Sequence, residues 1–173
     1  VKHRAEYILR VIEIPQGRPG GSPVPFSEKL MKWYPEIYRE RAVAIQEKAL
    51  GPEHPDLATP LRHLAYVLQD HGDTAAAKML MERALAIQEK ALGPEHPAVA
   101  HGLGGLAGVL RDLGDYGAAR RLEERSLAIL EKTLGPEHES VAAVRLDLAL
   151  TAALQGKPQE GLPGALAAER IAR

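Results

Sequence analysis

An all-α stack of helical hairpins is the architecture this sequence predicts, and three observations predict it. One segment recurs three times at a fixed spacing, apolar residues within each period fall at helical intervals, and Ala and Leu outnumber β-branched and aromatic residues. Glu40–Pro55 reads ERAVAIQEKALGPEHP, Glu82–Pro97 reads ERALAIQEKALGPEHP, and Glu124–Glu139 reads ERSLAILEKTLGPEHE. Gly51, Gly93 and Gly135 set the period at 42 residues. A unit of this size cannot bury its own apolar face, so successive units must cover one another.

Each period divides into two helices. Leu57, Leu61, Leu64, Ala65 and Leu68 form one apolar stripe at helical spacing, repeated by Val99, Leu103, Leu106, Ala107 and Leu110. The stripe stops at Gly72-Asp73 and Gly114-Asp115, where Gly suits a left-handed helix end and Asp suits the N-cap of the next helix. The second helix buries Ala77, Leu80, Ala84 and Ile87, matched by Ala119, Leu122, Ser126 and Ile129. It closes at Leu-Gly-Pro with Lys48, Lys90 or Lys132 in the last turn, where a cation complements the helix dipole. The expected array spans 34–173, with a half-repeat helix at 34–50 and hairpins at 57–97, 99–139 and 141–173.

Both ends depart from the pattern. Gly161, Pro163 and Gly164 fall where the last helix should run, and Pro in a helix interior costs about 3 kcal/mol. That helix is therefore expected to start late or fray. Residues 1–33 form an N-terminal extension outside the repeat. Residues 6–14 are apolar and partly β-branched and read as a strand, while 15–25, with four Pro and three Gly, read as a linker. A lone apolar strand needs a partner, which makes a homodimer through residues 6–14 one expectation.

Composition narrows the function. With 22 basic and 23 acidic residues the net charge is −1, which carries no footprint for nucleic acid. No apolar run is long enough to span a membrane. The absence of Cys removes disulfides and thiolate chemistry and fits a cytoplasmic setting. No nucleophile–base pair, phosphate loop or closed metal-ligand set is visible, so neither enzymatic activity nor a cofactor is expected. His54, His96 and His138 occupy one repeated turn position, too far apart to share a metal and better suited to hydrogen bonding in the turn. Gly102-Leu103-Gly104-Gly105-Leu106-Ala107 resembles a dinucleotide fingerprint, but it lies inside a helix, where the amides are already bonded. These glycines fit either close helix approach or room for a ligand's backbone.

The small residues Ala65, Ala77 and Ala84, with the 42-residue period ending in LGPEHP, resemble the tetratricopeptide repeat of the kinesin-light-chain subtype. The resemblance covers roughly residues 34–157. It implies a right-handed superhelix whose first helices line a concave groove that holds a protein or peptide. The groove positions it implies are Thr59, Arg62, Tyr66, Gln69 and Asp70, followed by His101, Gly104, Gly108, Arg111 and Asp112. Arg62 and Arg111 could pair with a carboxylate, and Tyr66 could stack on a peptide. Where the family often carries a pair of Asn, this chain has Arg62-His63, Gly104-Gly105 and Leu146-Asp147, and it contains no Asn at all. The function expected is that of a scaffold or sensor module that binds protein. The alternatives are a regulatory segment of a larger signalling enzyme and a self-assembly module.

Overall fold

The protein is described by a computed structural model over residues 35–172. The strand, the linker and the dimer contact expected at residues 6–14 and 15–25 lie outside the described residues. Among those described, seven α-helices follow one another without a strand: α1 (Pro35–Leu50), α2 (Ala58–Asp70), α3 (Thr74–Leu92), α4 (Pro97–Asp112), α5 (Tyr116–Leu134), α6 (Glu139–Leu154) and α7 (Pro158–Ala172). A 3₁₀ turn, Pro55–Leu57, leads into α2. Helices α2/α3, α4/α5 and α6/α7 are three antiparallel hairpins, and each packs on the next through α3 on α4 and α5 on α6. The fold is an all-α solenoid of stacked hairpins.

Repeated residues make repeated turns. Within the first hairpin, Asp73 N–H donates to the Leu68 carbonyl and Gly72 N–H to that of Gln69, with Gly72 at φ +86°. This is the Schellman arrangement, which satisfies carbonyls the helix leaves open. The Asp73 and Asp115 carboxylates accept from Ala76 N–H and Ala118 N–H and cap α3 and α5. Between hairpins the histidines do the capping. Asp56, Ala98 and Ser140 N–H each donate to the Nδ1 of His54, His96 and His138, at 3.2, 3.1 and 3.1 Å. The repeated His is therefore a helix cap.

The core is continuous along the stack. Leu57, Leu61, Leu64, Ala84 and Ile87 pack with Val43 of α1, while Met81, Val99, Leu103, Leu106 and Leu110 pack on toward Leu130 and Val141. Leu68 and Leu80 touch both groups. Burying side chains of this size is worth about 1.5–3 kcal/mol each. The small positions Ala65, Ala77, Ala107 and Ala119 are fully buried where the paired helices approach.

The last helix does not start late. α7 runs from Pro158 and includes Pro163. Its contact with α6 is the most extensive among the described helices, and Gly161 explains it. A Cβ on Gly161 would lie 2.5 Å from the Ala149 Cα, so only glycine permits this approach. Propensity opposed the helix, and tertiary packing overrode it.

Candidate functional site: the groove of the first helices

Helices α2, α4 and α6 are the first helices of their hairpins, and α2 touches α4 directly. Together they line a cavity of roughly 370 Å³. Tyr66 and Gln69 come from α2, His101, Gly104, Gly108 and Arg111 from α4, and Val144 and Asp147 from α6, with Ser126 of α5 behind them. Six of the ten groove positions are thus brought to one cavity, while Asp70 and Asp112 do not line it. Thr59 and Arg62, nearer the start of α2, do not line it. Arg62 is half-buried and makes no hydrogen bond or ion pair among the described residues.

The glycines of α4 have two different jobs. On Gly102 a Cβ would meet Gln88 Oε1 at 2.7 Å and Leu85 Cδ1 at 3.2 Å; on Gly105 it would meet the Tyr66 hydroxyl at 3.0 Å. These two glycines permit close packing. A Cβ on Gly104 would meet nothing within 4 Å, and one on Gly108 only the tip of Arg111 at 3.8 Å. Those two leave bare helix backbone facing the cavity. Close helix approach accounts for Gly102 and Gly105, whereas nothing packs against the position a Cβ would take at Gly104.

Farther along, the same register carries Leu146 and Leu150, 52% and 49% exposed. The groove face therefore changes from Arg62 and Tyr66 on α2, through glycine on α4, to leucine on α6. Gln69 donates to the Asp112 carboxylate at 2.5 Å and ties α2 to α4. Asp70 is exposed at the end of α2.

Arg111 is not a free cation. Its Nη1 donates to Glu123 Oε1 at 2.5 Å, and its Nη2 lies 3.1 Å from Asp147 Oδ1. Thr151 Oγ1 donates to the same Glu123 oxygen at 2.9 Å. Glu123 is 1% exposed, and its Oε2 has no hydrogen-bond partner among the described residues. Burial, the largest effect on this carboxyl, pushes it above the ordinary carboxylate range; Asp147 adds to that, while Thr151 and Arg111 oppose it. Nearby, the buried Ser126 hydroxyl donates to the Ala100 carbonyl at 2.9 Å.

Sequence reasoning missed Glu123, whose neighbours Glu124 and Arg125 make it read as part of a solvated face. Superposing the repeats would have found it, because the equivalent residue one period earlier is Met81, in the core.

Stacked hairpins with small residues at each crossing and a groove along the first helices define a helical-repeat solenoid. The tetratricopeptide repeat matches this chain over residues 36–90, 63–132 and 103–160. The chain belongs to the tetratricopeptide-repeat family, in its kinesin-light-chain-like form. A crystal structure of the nearly identical TPR-like repeats of a kinesin-light-chain-type protein from Podosopora anserina is similar. It is 29% identical with a TM-score of 0.73, covering 98% of this chain and 86% of that one. A point variant of that protein is equally similar, at 29% and 0.73, covering 98% and 85%. BtubC (BKLC) from P. vanneervenii has the same fold, at 20% identity and a TM-score of 0.73 over 82% of this chain and 60% of that one. No curated protein matches the sequence. Tetratricopeptide repeats are in general protein–protein interaction modules, and no helix among the described residues is long and apolar enough to cross a membrane.

Proposed function

We propose that this array is a cytoplasmic scaffold module that holds a segment of another protein in the groove of α2, α4 and α6. The observation that carries this reading is the bare backbone at Gly104 and Gly108. Glycine in an exposed helix position costs about 1 kcal/mol relative to Ala. Neither residue recovers that cost through internal packing, since a Cβ at either would meet no core atom. A ligand that needs the space accounts for both. Tyr66 at one edge and Leu146 and Leu150 at the other offer apolar surface, and Arg62 is a groove cation without an ion-pair partner among the described residues. Arg111 holds the groove wall and is spoken for by Glu123 and Asp147.

The test uses the whole chain as bait, with captured proteins identified by mass spectrometry and the strongest partner retested against variants. Gly104→Leu should fill the cavity and reduce binding at least tenfold, about 1.4 kcal/mol. Met79→Ala, on the outer helix α3 and 71% exposed, should change nothing. If the segment carries a carboxylate, Arg62→Ala should weaken it, and more at low salt, where exposed charges are less screened. Equal binding by Gly104→Leu and the wild type would reject the groove.

A further inference from the structure

We propose that Glu123 is a proton-operated latch between the second and third hairpins, holding Arg111 and Thr151 when ionised and releasing Arg111 toward the groove when it takes up a proton. The geometry is that of one working oxygen and one idle one. Oε1 accepts from Arg111 of α4 at 2.5 Å and from Thr151 of α6 at 2.9 Å, so it joins the two hairpins. Oε2 is buried and has no hydrogen-bond partner among the described residues. A carboxylate in this position leaves half its charge without compensation, which favours the neutral acid in a water-poor site. Packing alone does not demand the carboxylate, since Met81 fills the same place one repeat earlier and is equally buried.

The groups facing Glu123 are few. From α4 comes Arg111, and from α6 come Asp147 and Thr151. On its own helix, Arg120 pairs with Glu124 at 2.9 Å and with Glu160 of α7 at 2.7 Å, so these groups stay outside the cluster. Asp147 shares Arg111 and, being a like charge, works with burial toward protonation. The proton comes from solvent and goes to Oε2, the oxygen with no donor. The attraction between Arg111 and Glu123 then falls from charge–charge to charge–dipole. Among the described residues Arg111 then keeps Asp147 as its one ionised carboxylate partner, and the wall of the cavity gains one unit of positive charge. What that charge does to a bound segment rests on the groove reading; the latch itself does not, and its test contains no ligand.

The test is a carbon- and nitrogen-detected NMR titration of the intact chain, following the Glu123 carboxyl and the Arg111 guanidinium. The expected result is a Glu123 midpoint above those of the exposed Glu53 and Glu95, with the Arg111 signal shifting on the same midpoint. In Glu123→Gln that component of the Arg111 shift should be lost. If Glu123 titrates alongside the exposed glutamates, or Arg111 is stationary across its titration, the latch is overturned. The wild-type titration alone decides this, whatever the variant's stability.

Discussion

The two junctions between hairpins occupy the same place in the repeat and are built from opposite chemistry. Where the first hairpin meets the second, Met81 packs against Gly105 and the Tyr66 hydroxyl reaches the same glycine. Where the second meets the third, the equivalent positions hold Glu123, Asp147 and Gly108, and the contact becomes an ion cluster through Arg111 and Thr151. Backbone geometry is set by the small residues, the glycine turns and the histidine caps, which repeat almost unchanged. The side chains between those points can change from apolar to ionic without disturbing the stack. The apolar junction gains from burial, whereas the ionic one holds only while every charge keeps its partner.

The largest expected effect follows from that difference. Arg111→Ala strands the Glu123 carboxylate in the core and should cost about 3–5 kcal/mol at neutral pH by urea denaturation. Glu123→Met, which copies the first junction, should cost far less or be neutral, because it removes the buried charge along with its partner's obligation. A Glu123→Met variant as unstable as Arg111→Ala would show that the two junctions do not differ in this way.

Next comes Gly161→Ala. The added methyl meets the Ala149 backbone at 2.5 Å, and backbone cannot rotate aside. The net cost should be roughly 0–2 kcal/mol, overpacking of about 1–3 less a propensity gain of about 1. Gly104→Ala, over open groove, should do the reverse and stabilise by up to about 1 kcal/mol. Thermal denaturation of the two variants side by side reads both signs.

The smallest effect is in pH. Glu123 is held up in the folded state, so the folded chain binds its proton more tightly than the unfolded one does. Its contribution to stability is fully present below the unfolded carboxylate value and is lost as pH rises through the folded one. Glu53, Glu95 and Glu160 are held down by Lys90, Lys132 and Arg120, and their weak contributions run the other way, lost as pH falls. The difference between the wild-type and Glu123→Gln stability curves isolates Glu123. The wild type should lose ground to the variant as pH rises, and a flat difference would contradict the assignment.

Most of the fold was legible because the period, the Gly-Asp turns and the Leu-Gly-Pro-Glu-His run are local signals with local causes. The histidine caps were legible as hydrogen-bonding turn residues for the same reason. α7 was misread because Gly161 and Pro163 argue against a helix when taken alone. Only the contact of Gly161 with Ala149, set by tertiary structure, turns the glycine into a requirement. The groove was legible as a set of positions but not as chemistry. Arg111 looked available for a ligand because its partners lie 12 and 36 residues away in sequence, on other helices.

The most direct test of the groove as the binding surface is an amide chemical-shift map of the whole chain with and without a captured partner segment. If the segment lies where proposed, the largest shifts should fall on Gly104, Gly105 and Gly108 of α4 and continue onto Tyr66 of α2 and Leu146 and Leu150 of α6. Shifts gathered instead on the outer faces of α3, α5 and α7, with those α4 amides unmoved, would contradict it.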